Sequence, residues 1–129
     1  MRFLDSDVMV DLLRRHPPAV AWMQSLPADE PLGLPGFVAL ELIAGCRNKA
    51  ELHELRRLLE RHEIYWPRED DLDRALEDYS AIRLMHQLDI LDLLIGECAI
   101  GHGAILCTFN QRHFRAVPRL KTEKPYERE

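Results

Sequence analysis

Short apolar runs alternate with longer stretches of helical periodicity along this chain, and that alternation limits its fold more than any other property. Residues 2–5, 31–35, 64–66 and 104–108 read as strands. Between them the apolar positions recur every three to four residues, as an amphipathic helix requires. From Val8 the series is Val8, Leu12 and Leu13, ended by Pro17-Pro18; a second short helix covers residues 20–26. Residues 37–46 are nearly all apolar, which predicts a buried helix. Leu52, Leu55, Leu58 and Leu59 define an amphipathic helix, and Leu72, Ala75, Leu76, Tyr79 and Ile82 a longer one. Residues 91–100 predict another buried helix, closed by Gly101 and Gly103. A helical turn is expected around His113, then an edge strand from Leu120 and a charged, frayed tail. Strands alternating with helices imply an α/β fold with a mainly parallel sheet and helices on both faces. Ligands of such folds gather at the carboxyl ends of the strands, where Asp5 and Thr108-Phe109-Asn110 fall.

At 129 residues, 1–129 form one domain with room for a real core. No apolar run approaches the ~20 residues that cross a bilayer, and nothing before Asp5 resembles an export signal, so a cytoplasmic location without membrane contact is expected. Cys46, Cys98 and Cys107 sit singly among apolar neighbours, as reduced core thiols do. The six histidines are scattered, which argues against structural zinc. Net charge is −5, unusual for a chain that grips nucleic acid by neutralising phosphate. All but three of the 17 basic residues are nevertheless arginine, the side chain that pairs with phosphate through two parallel hydrogen bonds.

Acids at three places in the chain stand out. Asp5 ends a strand expected to be central. Glu41 lies within Phe37-Val-Ala-Leu-Glu-Leu-Ile-Ala-Gly45, and a glutamate among apolar neighbours calls for a metal or an ion pair. Asp89 and Asp92 stand three apart at a helix start, where acids also meet the helix dipole favourably. Asp7 and Ser6 are natural helix caps. Taken together, acids at element starts from three parts of the chain suggest an oxygen site for a hard cation, Mg²⁺ or Mn²⁺ rather than Zn²⁺.

Four segments together resemble the PIN domain, and most of all its VapC toxin branch. They are Phe3-Leu-Asp5-Ser-Asp-Val-Met-Val-Asp-Leu-Leu13, Val38-Ala-Leu-Glu41-Leu-Ile-Ala-Gly45, Asp92-Leu-Leu-Ile-Gly-Glu-Cys-Ala99, and Ala104-Ile-Leu-Cys-Thr-Phe-Asn-Gln-Arg-His-Phe114. The resemblance implies a three-layer α/β/α fold and assigns metal binding and catalysis to Asp5, Glu41 and Asp92, selecting Asp92 over Asp89. It puts Asn110 at the family's fourth position, usually an acid, and His113 where other members often carry one; Asp7 stands in place of a frequent Asn. It further implies Mg²⁺- or Mn²⁺-dependent hydrolysis of RNA, with Arg112 and Arg115 as candidate RNA contacts. Its expected partners are a VapB-like antitoxin and a second copy of the chain in a homodimer. The proline-broken helices up to Leu26 and the leucine-lined helix from Leu52 to Leu59 offer a groove for an antitoxin helix.

Two rivals remain at this level. Asp5-Ser-Asp7-Val also resembles the nucleophile motif of haloacid-dehalogenase-like phosphatases, but the later lysine those enzymes need is missing between Lys49 and Lys121. A degenerate PIN scaffold that binds without cutting is favoured by Asn110 and His113, and opposed by retention of Asp5, Glu41 and Asp92.

Overall fold

The computed structural model describes residues 1–128. In chain order these form β1 (Arg2–Leu4), α1 (Ser6–Leu13), α2 (Pro17–Ser25), β2 (Leu32–Pro35), α3 (Gly36–Ala44), α4 (Lys49–Leu59), β3 (Glu63–Tyr65), α5 (Glu69–Ile82), α6 (Ile90–Gly101), β4 (Ile105–Cys107), α7 (Gln111–Phe114) and β5 (Thr122–Glu123). The strands make one sheet in the order β3-β2-β1-β4-β5, and every neighbouring pair is parallel. An all-parallel sheet needs helical crossovers, which the alternation in the sequence supplies.

The order has a consequence for function. From β1 the chain winds outward through β2 to β3, then returns to the other side of β1 to add β4 and β5. Winding therefore reverses between β1 and β4. At such a switch point the connections diverge and leave a crevice beyond the strand ends. Phe3 pairs with Gly33 on one side and Leu106 on the other. Gly33 has no side chain because a Cβ there would lie 2.6 Å from both the Phe3 and the Tyr65 rings.

Phe3, Leu4, Val8, Met9, Leu34, Val38, Ile95, Leu106 and Phe114 form the main core, and Ala75, Leu88, Leu93 and Val117 a smaller one under α5 and α6. Full burial of a side chain of this size contributes roughly 1.5–3 kcal/mol. Gly103, at φ +67°, follows α6 in the left-handed conformation that often ends helices. Among the described residues no helix is long and apolar enough to cross a membrane.

Two expectations need correction. α3 is not buried all round: Val38 and Ala39 face the core, while Leu40 and Ile43 are 49% and 39% exposed. An apolar composition on every side cannot say which side finds a partner. The tail also does not fray before Arg128. Tyr126 donates a 2.7 Å hydrogen bond to Asp11, and Arg128 grips the same carboxylate through two bonds of 3.1 Å.

Candidate active site

β1 and β4, adjacent and parallel, deliver Asp5 and Thr108 side by side at the switch point. Asp5 is only 3% exposed. One of its oxygens accepts from the Ser6 amide at 2.8 Å, which makes Asp5, rather than Ser6 or Asp7, the cap of α1. The other accepts from the Thr108 hydroxyl at 2.7 Å, and that hydroxyl in turn accepts from the Asn110 amide at 2.9 Å. No cation pairs with Asp5 among the described residues. Burial, reinforced by repulsion from Asp7 and more weakly from Asp92, pushes its carboxyl up to about 7.

Asp7, in the first turn of α1, accepts from the Val8 amide at 2.8 Å and the Phe109 amide at 2.9 Å, tying α1 to the loop after β4. Burial raises its pKa, while those amides and the nearby Arg128 oppose the rise. Asp92 lies in the first turn of α6. Asp89 is the cap of that helix, accepting from the Leu91 amide at 3.0 Å, so the two acids divide the roles the sequence left open. The Asp92 pKa is raised by burial first, then by Asp89 and Glu41, while His113 acts in the opposite direction.

Glu41 is half-buried on α3 and has no ion pair among the described residues, against the fully buried placement its sequence context predicts. Its influence on Asp92 places it near the same crevice. Asn110 is exposed at the start of α7, and His113 is exposed one turn on, sharing a cleft wall with Asp92. Arg112 and Arg115 are also exposed, with no acid partner among the described residues.

Glu41 and Asp92 line two separate clefts. One, of about 700 Å³, has Ser6, Arg14, Glu41 and Arg47 in its walls. The other, of about 530 Å³, has Asp92 and His113. Among the described residues no three His, Cys, Asp or Glu side chains converge tightly enough to ring one ion as they stand. The donor set still suits a hard dication: it is all oxygen, Asp5 and Asp92 are desolvated and repelled by neighbouring acids, and no arginine pairs with Asp5, Glu41 or Asp92 among the described residues.

Sequence reasoning missed two features near this site. The first is the tail: the Arg128 guanidinium stacks 4.6 Å over the Phe109 ring, and Tyr126 meets the same ring edge-on at 4.9 Å, bracing the loop that holds Asp7. Aromatic Tyr126 followed by Arg128 was the only available signal. The second is a separate acid cluster between α5 and α6. Glu97, fully buried, accepts from Arg74 at 2.7 Å, and Arg74 also reaches Asp71 at 3.0 Å. Gly101 makes room, since a Cβ there would lie 2.0 Å from Asp71. The buried glutamate that the sequence pattern placed at position 41 is in fact at position 97.

Away from the acids, a groove of about 870 Å³ runs between α1, α2 and α4, with Leu12, Val20, Met23 and Leu58 in its walls and Arg15 and Arg61 along it.

Residues 2–120 match the PIN domain family. A comparison with curated protein sequences gave no match. Among solved structures the chain is similar to VapBC2 from Rickettsia felis bound to a DNA fragment from its promoter, with TM-score 0.82 and 23% identity over 95% of this chain and 96% of that one. It is similar also to VapBC-1 from nontypeable Haemophilus influenzae, at TM-score 0.81 and 21% identity over 95% and 96% of the two chains. A toxin–antitoxin complex from Klebsiella pneumoniae matches at TM-score 0.77 and 20% identity over 98% and 99%. The family match sets the phosphatase alternative aside: this chain belongs to the PIN domain family.

Proposed function

We propose that this PIN domain is a metal-dependent endoribonuclease and the toxin of a toxin–antitoxin pair. One observation carries the reading: Asp5 is buried at the switch point without a compensating cation, and Glu41 and Asp92, in the walls of two clefts, also lack an ion pair among the described residues, although the chain compensates its other buried acids with arginine. Asp5, Glu41 and Asp92 would hold Mg²⁺ or Mn²⁺. Such an ion supplies Lewis acidity toward a phosphate and a water molecule. Thr108 fixes the rotamer of Asp5, and the two backbone amides on Asp7 fix the approach of α1 to the β4 loop. The bond broken is phosphorus to O3′, with water supplying the new oxygen, so the products carry a 5′-phosphate and a 3′-hydroxyl. Asn110 and His113 would act at the open edge, and exposed Arg112, on α7, and Arg115, just after it, would meet the RNA backbone.

The solved relatives described as VapBC2, VapBC-1 and a toxin–antitoxin complex support a VapB-like partner. The groove between α1, α2 and α4 is the surface for its amphipathic helix, and an antitoxin Arg or Lys reaching Glu41 would occupy the acid site. Leu40, Ile43, Ile64 and Trp66, large apolar side chains exposed on α3 and at the end of β3, support a homodimer. Cytoplasmic action on RNA belongs to the same reading.

A second reading has one specific support: Asn110 in place of an acid favours a PIN scaffold that binds without cutting. A single assay separates the two. RNA incubated with the purified chain should be cleaved with Mg²⁺ or Mn²⁺, remain whole in excess EDTA, and remain whole with Asp5→Asn. Cleavage that persists in EDTA would sink the metal mechanism. Absence of cleavage with either ion leaves the scaffold.

A further inference from the structure

The cleft beside Asp92 has a composition that the acid site does not explain. Its walls come from the end of α5 and the connection to α6, which contribute Tyr79, Arg83, His86 and Gln87, and from α7, which contributes His113. Asp89 also lines it, but its carboxylate caps α6. Arg83, His86 and His113 border the same cleft as two acids, yet none forms an ion pair with them or with any other acid among the described residues. A structural arginine would be expected to close onto Asp89 or Asp92, as Arg74 closes onto Glu97. These side chains are left available for another anion.

We infer that this cleft is a nucleotide subsite, seating the RNA residue next to the scissile phosphate. The inference rests on the ribonuclease reading and specifies how that enzyme holds its substrate. Three observations converge. The volume, about 530 Å³, falls within the ~300–1,000 Å³ of ordinary small-ligand pockets. The chemistry matches a single-stranded nucleotide: Arg83 for a phosphate, the Tyr79 and histidine rings for stacking against a base, and the Gln87 amide for a base edge. The position is at the acids, because Asp92 is itself part of the wall. The other cleft has Glu41 in its wall, so a strand occupying both would be held at two of the three acids. Arg83 and His86 were invisible as site residues in the sequence, because they follow an amphipathic helix and read as its solvated end.

The test uses the full chain with Asp5→Asn, so that RNA binds without being cut, and a short fluorescently labelled single-stranded RNA as probe. Arg83→Ala and His86→Ala are added singly. Both positions are exposed, so thermal melts should match the parent. The inference expects anisotropy to give about tenfold weaker binding for Arg83→Ala. It also expects a salt dependence shallower by about 0.7 in log–log slope, the loss of one phosphate contact on a single strand. In the chain with Asp5 intact, the same changes should raise KM more than they lower kcat. If that chain cuts RNA and both variants bind and cut as it does, the subsite is wrong while the nuclease stands. If binding depends on Arg83 but nothing is cut, the nuclease falls and the subsite survives as part of a binding scaffold. RNA binding no stronger than to an unrelated acidic protein at low salt overturns the subsite outright.

Discussion

Two groups of acids lie under the surface of this small domain, and the chain treats them in opposite ways. Between α5 and α6, Asp71 and Glu97 converge on Arg74, and Asp78 lies 3.8 Å from Arg119. At the switch point, Asp5 is as deeply buried as Asp71 but has only a hydroxyl and one amide for company. Burying charge is costly unless it is paired. The first group has its compensation built into the chain, and the second lacks it. A buried acid therefore marks a site by the cation it is missing, more than by its burial.

Deleting the built-in cation tests this contrast most severely. At pH 8, where Glu97 is ionised, Arg74→Ala should destabilise the fold by about 3–5 kcal/mol, the usual result of stripping one partner from a buried pair, as read by urea unfolding. Asp5→Asn removes a buried charge that has no cation, so in EDTA it should melt within a few degrees of the parent. If the two variants lose similar stability, the supposed difference between the regions is unfounded.

Thr108→Val sharpens the same comparison from the side of activity. Thr108 supports Asp5 without being an acid itself, and loss of such an outer partner typically costs about 10- to 100-fold in activity or metal affinity. RNA cleavage should fall by that amount and recover in part with Thr108→Ser. A valine variant with parental activity would mean that Asp5 needs no positioning.

The smallest effect concerns protons. Oδ2 of Asp78 and Oε2 of Glu97 are both buried without a donor. A proton held on Glu97 meets the need of both, and burial together with the facing Asp78 carboxyl pushes Glu97 up to about 7. Asp5 is pushed up to about 7 as well. In the unfolded chain these carboxyls titrate near 4. Between that range and about 7 the folded state therefore holds more protons than the unfolded one, so stability falls as pH rises through this window and levels off above it. Urea midpoints should accordingly be lower at pH 8 than at pH 5. Asp78→Asn, whose amide can donate to an ionised Glu97, should reduce the drop. A midpoint independent of pH would mean that neither group holds a proton in the native state.

How much of this was legible in advance depends on whether a feature is local. The strands and helices were, because period and punctuation are properties of neighbouring residues. Asp5 and Thr108 were placed at strand ends and Asp92 at a helix start by the same means, and the structure joins the first two directly. Glu41 was also singled out but given the wrong surroundings, since a helix apolar on all sides does not reveal which side stays exposed. Arg74, Asp78 and Glu97 were missed because their pairing depends on how α5 lies on α6. Arg128 was missed because it reaches back 117 residues to Asp11.

The central place of β1 has a consequence in time. β1 is synthesised before the other strands, yet its partner β4 is made about a hundred residues later: the bond from Thr108 to Asp5 spans 103 positions. Contacts this distant form late and slowly. Until β4 slides in beside β1, Asp5 lacks its positioning hydroxyl, and the crevice has one wall. If the proposed function holds, a partly synthesised chain is thus kept inactive by its own topology, and the acid site is completed only as the sheet is.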